Sequence, residues 1–314
     1  MIKNYFKVLR AGINTTFQDL GRKNLYHIGI PFSGAMDKRN FLIANKLVGN
    51  DYNLPVIEFA YQGPQLKYFG DKINISITGD VKFILKKKKD VIDGICYKTF
   101  TLENEDEIDI LSTNKSVYGY LAISGEVDVK YQWSSCSTNT KANIGANDGK
   151  KLELNQKINI SKINENLNHK SLKYINTKIE NIRVLKATNF DYFSQKGKDT
   201  FFEKDFKVSK LSDRMGMRLE GPKIENVVDT NIKSEGLIKG VIQVPADGNP
   251  IIMLSDHGTI GGYPKIGVVI SADYDKLVQL PPGSKIRFKE VNLSSAENLF
   301  KLYELENQNL ISQI

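Results

Sequence analysis

The chain has 314 residues, of which 40% are hydrophobic, 25% charged and 10% aromatic, the proportions of an ordinary globular protein, which excludes extended disorder over most of its length. Lys and Arg number 44 against 36 Asp and Glu, a formal charge of +8; this admits an anionic partner, but the one dense basic run, Lys86–Lys89, follows the apolar stretch Val81–Leu85 and reads as a strand end or turn, so no nucleic-acid partner is assigned. The two cysteines, Cys96 and Cys136, lie outside any Cys-x-x-Cys spacing, which excludes a disulfide framework or thiolate metal site and suits a reducing cytoplasm.

The N-terminal residues Met1–Lys7 lack the apolar centre of a signal peptide. No stretch approaches the ~18 apolar residues of a membrane span, so a soluble, cytoplasmic protein with no membrane partner is expected. The length suits about two domains, one large domain being the alternative. The first Gly-rich, charge-bearing segment runs from Gln18-Asp19-Leu20-Gly21-Arg22 through Gly29-Ile30-Pro31-Phe32-Ser33-Gly34-Ala35-Met36-Asp37. Its Ser33-Gly34 turn leads into a helix at Met36, with Met36, Ile43, Ala44 and Leu47 on one face and Gly49-Asn50 as the stop. The helix start can hold an anion, but Ser33 or Asp37 as a cap is the simpler reading, and Ser33 is favoured as a cap over an anion ligand.

Most later apolar runs are short, β-branched or aromatic, and bounded by Gly, Asp, Asn or Pro, which is the pattern of strands. They include Ile73–Thr78, Val81–Leu85, Val117–Ser124, Val241–Val244, Ile251–Leu254 and Gly267–Ile270. Between about residues 138 and 180 the chain turns polar and Asn/Lys-rich, least structured at Asn164–Asn168, so a boundary is placed near residue 170. An N-terminal β lobe of residues 1–170, ending in a polar linker, and a C-terminal β lobe of residues 171–314 are expected. Gln62-Gly63-Pro64-Gln65-Leu66 resembles Glu220-Gly221-Pro222-Lys223-Ile224, each followed by strand-like sequence; duplication and a shared turn dipeptide are both open. Ser294 with Glu297 reads as a capping box, and Ala296, Leu299, Phe300 and Tyr303 recur at the spacing of a final amphipathic helix.

Three further segments have residue types suited to anion recognition. In Ser212-Asp213-Arg214-Met215-Gly216 the guanidinium either grips a carboxylate or phosphate, or forms a structural Asp–Arg pair. In Gly240–Gly248, Gln243 faces opposite to its apolar neighbours and meets either solvent or a ligand. In Ser255–Lys265, Gly261 and Gly262 permit close backbone approach or simply a tight hairpin, Tyr263 can wall a planar ligand, and Pro264 restricts the turn that presents Lys265. Asp256 is either a general acid or base or a turn former. No phosphate-binding Gly-x-x-x-x-Gly-Lys loop, dinucleotide fingerprint or Gly-x-Ser-x-Gly elbow occurs, and His27, His169 and His257 lack ligand spacing, so chemistry without a metal site in this chain is expected.

In this order Gln18–Arg22, Ala44-Asn45 with Leu47-Val48-Gly49-Asn50, Asp213–Gly216, Gln243-Val244-Pro245 and Gly261–Ile266 resemble the biotin-dependent-carboxyltransferase-like family, over roughly residues 5 to 295. That family includes the C-type subunit of 5-oxoprolinase, homologues of the second subunit of allophanate hydrolase, the antagonist of a sporulation kinase inhibitor, and part of the urea carboxylase carboxyltransferase domain. The resemblance implies a mainly β fold of two cyclophilin-like β-barrel lobes with a few short helices. It also implies three activities: ATP-driven opening of 5-oxo-L-proline to L-glutamate, carboxyl transfer from carboxybiotin to urea in fused enzymes, and binding of a kinase-inhibitor-like partner without turnover. The first is favoured, with a B-type and a lactam-utilisation-type partner subunit, ATP and magnesium at the level of the complex, no covalently attached cofactor, and little activity in the chain alone.

On that reading Arg214 and Lys265 hold the substrate carboxylate or the transferring phosphate and Asp256 positions a proton. Gln243 and Thr259 donate hydrogen bonds, and Gly261, Gly262 and Tyr263 shape the substrate site, with Arg22, Ser33 and Asp37 in a second tier. Two departures stand out: Gly258-Thr259-Ile260 replaces the Gln-Thr-Thr common in relatives, and Gly149-Lys150 stands where Gly-Arg is usual.

Overall fold

The computed structural model describes residues 4–164, 167–174, 179 and 181–314. Of the stretch expected to be least structured, Glu165 and Asn166 lie outside the described residues. The chain divides into two compact units, the first made of Met1–Arg22, Ser33–Asn176 and Asn307–Ile314, the second of Lys23–Phe32 and Thr177–Glu306. The fold is mainly β, with four α-helices among the described residues: α1 (Lys38–Leu47), α2 (Gln195–Glu203), α3 (Ser271–Val278) and the 20-residue α4 (Leu293–Ser312).

The first unit carries two antiparallel sheets. One has seven strands in the order Gly125–Val127, Lys157–Ile163, Tyr5–Arg10, Gln65–Phe69, Glu107–Thr113, Val81–Lys86, Val91–Asp93; the other has five, in the order Thr16–Gln18, Val56–Ala60, Tyr118–Ile123, Ile73–Thr78, Thr99–Leu102. Period-two alternation sets the faces. Phe6 and Val8 lie opposite Tyr68 and Leu66, and all four side chains are buried in one core. In Ile73–Thr78 the three isoleucines enter that core, while Ser76 Oγ and Thr78 Oγ1, on the other face, donate at 2.8 Å to the carbonyls of Ala44 and Asn40 in α1. A strand buried on both faces therefore keeps its polar positions because a helix accepts from them. The basic run at Lys86–Lys89 ends Val81–Lys86 and turns into Val91–Asp93, as read from sequence, with Lys86 3.2 Å from Asp109.

The start of α1 differs from expectation. The helix begins at Lys38, not Met36, and Asp37 is its cap: Asp37 Oδ1 accepts from the Asn40 N–H at 2.9 Å. Ser33 sits in a left-handed turn at φ 57 and its Oγ accepts from Asn139 Nδ2 at 3.2 Å. A carboxylate three residues before the N–H that it caps outcompetes a hydroxyl placed farther away. The stop at Gly49 is as expected, with φ 75.

The second unit is a closed seven-stranded barrel in the order Asn181–Lys186, Lys265–Val269, Val241–Gln243, Ile251–Met253, Gly216–Glu220, Phe206–Val208, Lys285–Glu290. Neighbours are antiparallel except Asn181–Lys186 and Lys285–Glu290, which are parallel. Ile182, Val184, Leu219, Ile242, Ile252, Ile266 and Phe288 are buried. Phe201 of α2 stacks on Phe288 with ring centroids 4.4 Å apart. α4 is capped by Asn292, whose Oδ1 accepts from the Ser295 N–H at 2.8 Å, so the cap lies two residues before the expected Ser294. Ala296 and Tyr303 are buried on α4 while Phe300 is exposed. The two Gly-Pro segments differ: a strand, Gln65–Phe69, begins just after the first, whereas the second follows the strand Gly216–Glu220 and leads into none nearby. Among the described residues no helix is long and apolar enough to cross a membrane.

Candidate functional site

In the barrel, a bulge between Ile242 and Gln243 shifts the register of Val241–Gln243 against Lys265–Val269, so that Gln243 pairs with Lys265. A bulge re-aims a side chain locally. Beyond it the short strand Glu235–Gly236 pairs with Ile260–Gly261, which sets Glu235 opposite Gly261. These registers bring four expected site residues together. Gln243 Nε2 donates to the Tyr263 carbonyl at 3.1 Å, and Lys265 Nζ donates to Glu235 Oε2. The Lys265 side chain is 6% exposed and that of Glu235 42%. The adjacent ammonium holds the Glu235 carboxyl below its usual range. Gln243 is buried, so of its two sequence readings the solvent-facing one is excluded.

The paired glycines are packed. A Cβ on Gly261 would lie 2.7 Å from Gln243 Nε2 and 2.8 Å from Leu237 Cδ1. On Gly262 it would lie 3.1 Å from the Ile232 carbonyl, and the Gly262 carbonyl accepts from the Ile232 N–H at 2.9 Å. The Thr259 carbonyl likewise accepts from Leu237 at 2.9 Å. At both glycines the absence of a side chain leaves room for close neighbours, whatever else they admit. Tyr263 is 38% exposed.

Arg214 and Asp256 form a two-pronged pair: Nε donates to Oδ2 at 2.8 Å and Nη2 to Oδ1 at 3.1 Å. The Asp256 N–H also donates to the Arg214 carbonyl at 2.9 Å. Both side chains are largely buried, at 11% and 4% exposure. Next to Asp256, His257 is buried and its Nε2 lies 3.0 Å from the Tyr26 hydroxyl. Sequence reasoning missed Glu235, Tyr26 and His257 as partners. Glu235 stands 30 residues from Lys265 and Tyr26 231 residues from His257, so no local motif joins them, and the histidine spacing tests only for a metal site.

Arg22, Ser33 and Asp37 belong to the first unit, where each has a structural partner. Asp37 caps α1, Ser33 meets Asn139, and Arg22 Nη2 donates to the Ser137 carbonyl at 2.6 Å. The centre of that region is Asp19. Its carboxylate accepts from Gly21 N at 2.8 Å, Ser135 Oγ at 2.7 Å, Ser137 Oγ at 2.5 Å and Cys136 N at 2.8 Å. Both cysteines are free. Burial pushes the Cys96 thiol up to about 11 and the Cys136 thiol well above its usual value, so neither is a ready nucleophile. Among the described residues no group of three or more His, Cys, Asp or Glu is placed to hold a metal ion.

The family described as carboxyltransferase domain, subdomain A and B, matches residues 28–290. The C-type subunit of the Escherichia coli 5-oxoprolinase is 32% identical over 299 residues, covering 92% of this chain and 92% of its own length. That of Haemophilus influenzae is 31% identical, covering 95% of both. The crystal structure of the K. lactis urea amidolyase superposes with a TM-score of 0.89 at 26% identity, covering 99% of this chain but 20% of that one.

Proposed function

This chain belongs to the carboxyltransferase-domain family, and from that premise we propose that it is a subunit of an ATP-dependent 5-oxoprolinase, opening 5-oxo-L-proline to L-glutamate with a B-type and a lactam-utilisation-type partner subunit. The carrying observation is coverage: the likeness to the C-type 5-oxoprolinase subunit spans 92% of both chains, whereas the chain accounts for 20% of the urea amidolyase it superposes on. A likeness that spans nearly all of both chains favours the first setting over one confined to a fifth of a larger enzyme.

The lactam carbonyl resists attack by water. Its oxygen attacks the γ-phosphorus of ATP and ADP leaves; water adds to the activated carbon, the C–N bond breaks with a proton going to the nitrogen, and a second water cleaves the resulting acyl phosphate to the carboxylate and inorganic phosphate. This chain's part is to hold and neutralise. The charged candidates Lys265, Arg214 and Asp256 already have protein partners, so a substrate anion must substitute for one. Lys265 is buried while its partner Glu235 is part-exposed; a substrate carboxylate or transferring phosphate takes the place of Glu235, which turns to water at little cost. The Arg214–Asp256 pair offers no comparable exit, since both side chains are largely buried; Arg214 fixes Asp256 where it positions a proton. Thr259 contributes its hydroxyl, and Gln243 holds the Tyr263 carbonyl and so shapes the loop. Among the described residues no group of three or more His, Cys, Asp or Glu is placed to hold a metal ion, and on this reading the nucleotide and its magnesium are bound at the level of the assembled complex.

Oxoproline-dependent ATP hydrolysis by the chain reconstituted with its partner subunits tests this reading. Activity in the complex and little in the chain alone is expected. If the assembled complex instead transfers carboxyl from carboxybiotin to urea and leaves oxoproline untouched, the urea carboxylase reading replaces it.

A further inference from the structure

Resting on the proposed function for the identity of the substrate, we propose that Tyr26 is a ligand-binding residue whose hydroxyl oxygen accepts a hydrogen bond from the amide N–H of that substrate, with His257 as the positioning residue that makes the hydroxyl an acceptor only. His257 Nδ1 lies 2.6 Å from the Gly258 carbonyl oxygen. A carbonyl can only accept, so Nδ1 carries the proton. In the neutral ring Nε2 is then a bare acceptor, and the Tyr26 hydroxyl 3.0 Å away must donate to it. A hydroxyl has one proton. Once that proton goes to His257, the oxygen has only lone pairs left for any ligand.

Three observations keep this arrangement in force. His257 is 1% exposed, and burial lowers its pKa from 6.5, with Lys239 lowering it further and the Gly258 bond and Asp256 opposing; the ring is neutral at pH 7. Burial raises the Tyr26 pKa, so its hydroxyl keeps its proton. Tyr26 itself is part-exposed, and His257 directly follows Asp256 in the segment carrying the candidate catalytic residues. A freely rotating hydroxyl would serve a donor or an acceptor alike. A locked one selects a lactam, which presents N–H, over the lactone that carries ring oxygen in its place.

The test is calorimetric titration of the chain assembled with its partner subunits, using 5-oxoproline, its lactone isostere and urea against wild type and Tyr26→Phe, with thermal unfolding confirming that the variant is folded. In wild type 5-oxoproline binds more tightly than the lactone. Tyr26→Phe weakens 5-oxoproline about three- to tenfold and leaves the lactone unchanged, the loss of one neutral hydrogen bond. As pH falls through the titration of His257, Nε2 gains a proton and becomes a donor, the Tyr26 proton turns outwards, and wild-type 5-oxoproline binding weakens; in Tyr26→Phe it stays flat. A pH response that persists in Tyr26→Phe arises outside the Tyr26–His257 pair and overturns the role of His257. If urea binds, loses affinity on Tyr26→Phe, and 5-oxoproline does not bind at all, the amide contact stands and the oxoprolinase reading falls. If neither amide responds to Tyr26→Phe, the contact itself is overturned.

Discussion

Two polar clusters, one in each unit, are built from the same kind of Gly-rich, charged segment and end in opposite conditions. In the first unit Asp19 is 0% exposed and accepts four hydrogen bonds, from Gly21, Ser135, Cys136 and Ser137. In the second, buried Lys265 relies on Glu235, which is 42% exposed. The chemistry of the residues does not separate a lock from a binding group; the exposure of the partner does. A fully buried carboxylate held by four protein donors has no ready means of exchanging one for a ligand. A buried ammonium whose counter-ion faces water can trade it for a substrate anion.

The largest expected effect therefore belongs to Asp19→Ala, which strands two hydroxyls and two N–H groups in the interior. A loss of about 3–5 kcal/mol in denaturant unfolding is expected. A loss under ~1 kcal/mol would mean that the cluster is not the lock described. Arg214→Lys comes next. An ammonium cannot reproduce the fork that meets both oxygens of Asp256, and the catalytic efficiency of the reconstituted complex should fall about ten- to a hundredfold. Unchanged kinetics in a folded variant would show that Asp256 needs no such support.

Gly261→Ala sharpens the comparison from the backbone side. The added methyl meets Gln243 Nε2 at 2.7 Å and Leu237 Cδ1 at 2.8 Å, and overpacking of this kind costs about 1–3 kcal/mol. Gly262→Ala meets only the Ile232 carbonyl at 3.1 Å within its tight range and should cost less. Thermal unfolding of the two variants gives the order; a reversal would mean that the close approach at Gly261 relaxes without loss.

Strands and core were readable because burial imposes a period of two. Ile73–Thr78 was bounded at the observed residues, and Val81–Lys86 runs one residue beyond the expected end. The start of α1 at Lys38 and the cap of α4 at Asn292 each lie two residues from expectation, in opposite directions, because several capping residues stand in a row and the winner is set by which one the backbone presents to the first N–H groups. The candidate site was legible as motifs but not as pairs. Lys265 was named and Glu235 was not, Asp256 was named and the Tyr26–His257 contact was not, since ion pairs and hydrogen bonds across 30 or 231 residues leave no local spacing to read.

The smallest expected effect, and the one that separates trading from locking most directly, is that of Glu235→Gln. Lys265 holds the Glu235 carboxyl below its ordinary 4.5, so the folded state favours the ionised form. That contribution is present above the unfolded value and lost as pH falls through the depressed folded value, in the acid range below about 4.5. Because Glu235 is 42% exposed, water screens the pair, and Glu235→Gln should cost under ~1 kcal/mol at neutral pH and flatten the acid limb of stability. Substrate binding should respond in the other direction. With its counter-ion neutralised, Lys265 no longer has to be released before it meets a substrate anion, so the KM for 5-oxoproline in the complex should hold or fall slightly, whereas Lys265→Ala should lower turnover. A lock behaves otherwise, because removing either partner of a lock harms both stability and function. Steady-state kinetics of the two variants decide between them: a Glu235→Gln complex as impaired as Lys265→Ala would make this pair structural, like the Asp19 cluster of the first unit.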